Sequence, residues 1–196
     1  MEAFYIIELL TSWFSEAFSD PDRIFAQILG FIPMFIAFLI FIFHDRRKVF
    51  FFKTTSDVLW SAHYCLLGEF SGGIICSLCV VRNIIFSQKP RWKWVSHPAV
   101  PAVACVIFMA GTALSRDGVK SLLPLTGTCL AVLGFWCTDV RNIRKFNFPA
   151  TLLWLIYAIL VGSVSSIICD VVTLTSIVIA ECRWHQMQKP CEATEG

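Results

Sequence analysis

The sequence predicts an all-α membrane protein: seven transmembrane helices forming two parallel three-helix repeats joined by one linker helix, with an N-terminal amphipathic interfacial helix. Three observations predict it. Hydrophobic residues make up 57% of the 196 residues and charged residues only 15%, against roughly 45–50% and about 25% in ordinary globular chains. The chain also carries 18 Phe and 7 Trp, more apolar surface than one small core could hide. Second, seven apolar stretches approach the roughly 20 residues a bilayer core requires. Third, the chain resembles itself at an offset of 94 residues: Asp45 matches Asp139, Arg47 matches Arg141, Phe52 matches Phe146 and Trp60 matches Trp154.

Residues 1–20 form the first element. Ala3, Ile6, Ile7, Leu10, Trp13, Phe14 and Ala17 fall at helical spacing, with Glu8, Ser12, Ser15, Glu16 and Ser19 mainly opposite. This is an amphipathic surface helix, acidic rather than basic, and it lacks the basic start of a secretory signal. The spans then fall at about 24–44, 50–69, 71–88, 96–115, 119–138, 146–162 and 164–183. They group as a first three-helix repeat in 21–90, a linker with the fourth span in 91–117, and a second repeat in 118–185. Residues 186–196, ending in "QMQKPCEATEG", are polar and expected to be a disordered cytoplasmic tail.

Basic residues set the orientation. Arg46, Arg47, Lys48, Lys53, Lys89, Arg91, Lys93, Arg141, Arg144, Lys145, Arg183 and Lys189 fall on one side; only Arg23, Arg116 and Lys120 fall on the other. This places the N-terminus outside and the C-terminus in the cytoplasm. One residue of slippage extends the repeat: Tyr64 then matches Tyr157, Leu67 matches Leu160, and "GGIIC" matches "SSIIC". Three spans are an odd number, so one linker helix is needed for both units to face the same way. Pro98 and Pro101 mark the start of that linker. Parallel repeats of this kind occur in SWEET sugar transporters, and substrate sites in repeat transporters lie near the midplane between units.

The pieces "AQILGFIPMFIAF", "AHYCLLGEFSGG", "VVRNIIF" and "LLWLIYAILVGS" resemble the YgjV-type bacterial inner membrane proteins over about residues 24–185. The matching features are an Ala-Gln–Gly opening in the first span, a His-aromatic–Leu-Leu-Gly end to the second, an Arg in the third, and a Trp before a Gly-Ser turn in the sixth. Asp170 departs from the pattern, which tends to Glu there. The resemblance implies fold and inner-membrane location rather than a particular activity.

Ionisable residues inside the spans are the candidates for function, because each is costly in hydrocarbon. Asp57 precedes the turn at Gly68 by 11 residues and Arg82 follows Ser71 by 11, so each lies about 16 Å along its helix. The two could pair across adjacent helices as a structural staple; the functional alternative is a gate or an anion-attracting Arg. Alternatively, Asp57 reaches the interface near Lys53. His63 and Asp170 lie about 8 and 12 Å from the turn ends. They could form a proton-sensitive pair; otherwise His63 donates to a carbonyl and Asp170 to a Ser or Thr. Trp60, His63, Tyr64 and Leu67 share one helical face, and Trp154, Tyr157 and Ala158 form its counterpart. These faces are either repeat-to-repeat packing or an aromatic lining for a solute. Asn83, beside Arg82, could add a polar contact. Pro33, Pro98, Pro101, Pro124 and Pro149 are candidate kinks.

No phosphate loop, HExxH or G-x-S-x-G phrase occurs. Cys76 and Cys79 have CxxC spacing but no second ligand pair nearby in sequence. The nine cysteines read mainly as apolar filler. No enzymatic activity, cofactor, metal or nucleic-acid partner is expected. The expected partners are the lipid bilayer and an unidentified small solute, and a homo-oligomer is compatible with the sequence. The expected role is transport of that solute between the repeats, along Asp57, Trp60, His63, Arg82, Asn83, Trp154, Tyr157 and Asp170. The alternative is a non-transporting scaffold or sensor that binds a protein in the membrane.

Overall fold

The computed structural model describes residues 8, 11–13, 15–40, 46–89, 91–115, 117–136 and 140–192. Every regular element among them is helical. In chain order the α-helices after position 20 are α1 Pro21–Ile40, α2 Arg46–Leu66, α3 Phe70–Ser87, α4 Ala99–Leu114, α5 Leu122–Trp136, α6 Val140–Val161 and α7 Val164–Glu192. Single 3-10 turns at Lys93–Ser96 and Gly118–Ser121 lead into α4 and α5. Each helix packs on the next, and α7 returns to α1, so the bundle closes into a ring.

Four stretches are long and apolar enough to cross a bilayer: Pro21–Phe38, Phe70–Ser87, Gly118–Trp136 and Val164–Cys182. They make the chain a multi-pass membrane protein. The other three helices differ from simple spans for identifiable reasons. α4 is apolar but has only 16 residues. α2 opens on Arg46, Arg47 and Lys48 and then carries Lys53 and Asp57. α6 carries Arg141, Arg144 and Lys145 in its first two turns. Those charges dilute the apolar content without interrupting the helices.

Local chemistry explains the ends. α1 begins with Pro21, whose missing N–H costs nothing at the first helical position, followed by Asp22 in the first turn. α2 and α6 stop by the same device. Gly68 and Gly162 both adopt positive φ, +80° and +72°, a region open to glycine because it has no Cβ. Beyond each glycine the chain bonds back in a Schellman pattern. Glu69 N–H donates to Tyr64 O and Gly68 N–H to Cys65 O; Ser163 N–H donates to Ala158 O and Gly162 N–H to Ile159 O. The two turns are 94 residues apart, the offset of the matches from Asp45–Asp139 to Trp60–Trp154 and one more than that of the matches from Tyr64 onward. α7 runs on to Glu192, beyond position 186 where the tail was expected to begin. Residues 184–189 contain no Gly or Pro, so nothing in them stops a helix. The last four residues lie outside the described ones.

Of the N-terminal helix, residues 11–13 and 15–17 are helical. Trp13 Nε1–H donates to Ile159 O at 3.0 Å, and Ala17 is buried against the Gly162 turn. Ser12, Ser15 and Glu16 are exposed, so this part has the two faces the sequence predicts. Ala3, Ile6, Ile7, Leu10 and Phe14 lie outside the described residues.

Candidate functional site

Two faces meet where α2 passes α7. On α2, Lys53, Asp57, Trp60 and Tyr64 recur every three or four residues, as do Ser163, Ser166 and Asp170 at and beyond the α6–α7 turn; such spacing lines up one side of a helix. From the Gly68–Gly162 end to the basic end, these residues form a file of polar groups inside the bundle.

At the turn end His63 is fully buried. Its Nδ1 lies 2.7 Å from Ala26 O, and its Nε2 lies 2.7 Å from Ser163 Oγ. A carbonyl only accepts, so Nδ1 carries a proton. In the neutral ring Nε2 therefore accepts from the Ser163 hydroxyl. Ser163 Oγ in turn accepts Ser166 N–H at 3.4 Å. Gln27 serves the same turn: its Nε2 donates to Gly162 O and its Oε1 accepts Val164 N–H at 3.1 Å. α1 can approach this closely only because position 30 is glycine. A Cβ there would overlap Ser165 Oγ and stand 2.7 Å from His63 Nδ1.

Beside His63 lies an aromatic layer. Tyr64 and Tyr157 are buried, with ring centroids 5.6 Å apart, and Trp154 stands 5.9 Å from each. Their hydroxyls are engaged. Tyr64 OH is 2.7 Å from Ser166 Oγ. Tyr157 OH is 3.0 Å from Ser71 Oγ and accepts Gly72 N–H at 3.1 Å. Trp60 completes the layer, 5.2 Å from the His63 ring. These aromatic side chains belong to one core cluster with Ala26, Met34, Leu67, Cys76 and Val161. At this level the α2 and α6 faces are packed against each other.

Toward the basic end the charges are arranged differently from the expected direct pair. Asp57 Oδ1 binds Lys53 Nζ, and Asp57 Oδ2 accepts Asn83 Nδ2 at 2.7 Å. Arg82 donates Nε–H and Nη2–H to Asn83 Oδ1, at 3.2 and 2.9 Å. Asn83 thus bridges Arg82 and Asp57, and Arg82 has no carboxylate within salt-bridge distance among the described residues. Lys53 sits one turn before Asp57 on the same helix, which favours that contact over one across the bundle. Arg82 also lies 5.3 Å from the Phe135 ring centroid.

The suggested His63–Asp170 pair does not form, because both ring nitrogens of His63 are taken. Asp170 lies instead between the two groups of contacts. Its Oδ2 is buried with no hydrogen-bond partner among the described residues, within electrostatic reach of Lys53 and of the Tyr64 hydroxyl. Ser165 Oγ is likewise buried and unpartnered. Gln27, Lys53, Ser163 and Ser166 were missed as site residues. The three-residue Ser163–Ser166 interval, continued by Asp170, was the available signal. Among the described residues no cluster of His, Cys, Asp or Glu is arranged to hold a metal.

No curated protein matches the chain, and no solved structure matches it. A family model does match, over residues 24–188, and that span contains every residue of the polar file and both glycine turns. The chain therefore belongs to the Imp-YgjV family of bacterial inner membrane proteins.

Proposed function

We propose that this protein is a seven-span permease for a small solute, built as two parallel three-helix units about linker α4, and not an enzyme. The solute passes along the seam between α2–α3 and α6–α7. The observation that carries this reading is Asp170: a carboxylate oxygen buried within an apolar helix, without a hydrogen-bond partner among the described residues. Such a group is costly in hydrocarbon, and packing alone does not require it. Polar groups continue from it both ways, to Tyr64–Ser166 and His63–Ser163, and to Lys53–Asp57–Asn83–Arg82. Asp170 would take up a proton or a solute donor during passage. The packed aromatic layer would then be the closed side of an alternating pathway. The 94-residue offset shared by the sequence match and the Gly68 and Gly162 turns supports the repeat. The asymmetry of basic residues supports an outside N-terminus and a cytoplasmic C-terminus.

A second reading, a scaffold or sensor, is favoured by that same packing, since His63, Tyr64 and Tyr157 are all buried. Proteoliposomes separate the two. A panel of small metabolites is offered with a pH dye inside, to wild type and to Asp170→Asn. Uptake of at least one solute, reduced at least tenfold by the substitution, is expected. No uptake of any solute by folded protein, or equal uptake by Asp170→Asn, would favour the scaffold.

A further inference from the structure

A second feature lies outside the seam, on the lipid side of α3 and α4. There a groove with a cavity of about 280 Å³ is bounded by Leu78, Val81 and Ile85 of α3, by Val103 and Ile107 of α4, and by Trp94 at its basic end. Its walls are otherwise apolar, yet Arg82 also lines it. Arg82 is only 6% exposed. Two of its N–H groups serve Asn83 and its Cζ lies 5.3 Å from the Phe135 ring centroid; the remaining guanidinium N–H groups have no hydrogen-bond partner among the described residues. The carboxylate that could neutralise it, Asp57, is already held by Lys53 and Asn83. Among the described residues no carboxylate lies within salt-bridge distance of Arg82; a buried cation so placed is costly beside hydrocarbon, and the groove is where an anion could reach it.

The basic end of the groove has the character of a membrane interface. Trp92 and Trp94 are 45% and 56% exposed and stacked, with ring centroids 5.8 Å apart. Arg91 and Lys93 flank them and are exposed. Exposed Trp beside basic residues is the usual composition at headgroup level. Basic pockets between helices there select acidic lipids.

We infer that the α3–α4 groove binds one anionic phospholipid of the adjacent leaflet, its acyl chain between Leu78 and Ile107 and its phosphate drawn to Arg82. The groove is lined mainly by apolar side chains, and its one cation suits a headgroup of net negative charge better than a zwitterionic one, whose own ammonium offsets its phosphate. Arg91 and Lys93 attract acidic lipid to the surface, whereas Arg82 distinguishes the lipid in the groove. The inference does not depend on transport.

Thermal melts of the purified full chain in mild detergent test it, with phosphatidylglycerol or phosphatidylcholine of identical acyl chains added. Phosphatidylglycerol is expected to stabilise at about fivefold lower concentration, the factor that one lysine or arginine contributes near an anionic surface. Arg82→Gln should abolish that preference. Val103→Trp, at a 56% exposed groove position, should abolish stabilisation by both lipids, and it decides the matter if Arg82→Gln does not fold. Arg91→Ala with Lys93→Ala should keep the preference. Equal effects of the two lipids on wild type, a preference surviving Arg82→Gln or Val103→Trp, or one lost only with Arg91 and Lys93, would overturn the assignment. So would equal stabilisation by inorganic phosphate alone.

Discussion

His63 Nε2 and Ser163 Oγ stand 2.7 Å apart and join segments 100 residues distant in sequence. Because His63 Nδ1 also holds Ala26 O, one imidazole fastens α1, α2 and the α6–α7 turn together. A double-mutant cycle of His63→Phe and Ser163→Ala, read by thermal or denaturant unfolding in detergent, should show coupling of about 0.6 kcal/mol, the average for hydrogen bonds between membrane helices. Strict additivity would mean that the bond contributes nothing.

Gly30 should tolerate no side chain. Gly30→Ala should lower stability by about 1–3 kcal/mol through overpacking, since its Cβ would overlap Ser165 Oγ. Ser165→Ala alone should be neutral or stabilising, because it removes a buried hydroxyl with no partner. The double variant should recover part of the loss but not all, since the His63 ring also crowds the site. Melting temperatures of the three variants check this.

The two buried tyrosines differ in what they satisfy. Tyr157→Phe leaves the Gly72 N–H without its acceptor and should cost about 1–3 kcal/mol. Tyr64→Phe leaves Ser166, whose hydroxyl can rotate to another acceptor, and should cost less. Faster amide exchange at Gly72 in Tyr157→Phe alone would identify the cause.

Asp57→Asn should destabilise by about 2 kcal/mol, between the values for exposed and buried ion pairs. Lys53 loses its counter-charge while the Asn83 contact survives. Adding Lys53→Met should restore most of the loss, as measured by unfolding of the double variant.

Cysteine labelling checks the orientation. A membrane-impermeant maleimide added to intact cells in a cysteine-free background should label Val119→Cys, 82% exposed beside the α2–α3 turn side, and not Lys93→Cys. The reverse result would invert the topology.

Much of the architecture was legible because hydrophobic spacing and turn glycines act locally. Apolar length marked four of the helices, and Gly68 and Gly162 stop α2 and α6 where no residue with a Cβ would fit as well. The site was legible in its members more than in its contacts. Asp57 and Arg82 stand at equal sequence distances from the α2–α3 turn, but that spacing does not say which neighbour is nearest. Lys53 was a turn away on the same helix and Asn83 was placed to bridge, so the direct pair did not form. His63 illustrates the same point, because its partners are a backbone carbonyl and a serine, which carry no charge to signal them.

The sequence by itself determined that the chain lives in a membrane and, to within a turn or two, where its helices lie, although α6 starts earlier and α7 ends later than expected. Those outcomes follow from desolvation and backbone geometry, which depend on local residue type and spacing. Only the tertiary structure decided the partners. It gave His63 to Ala26 and Ser163, gave Asp57 to Lys53 and Asn83, and left Asp170 and Arg82 without a salt-bridge partner among the described residues. A hydrogen bond is won or lost within a few tenths of an ångström, a distance set by how close Gly30 and Gly72 let neighbouring segments approach and not by the periodicity of any one helix.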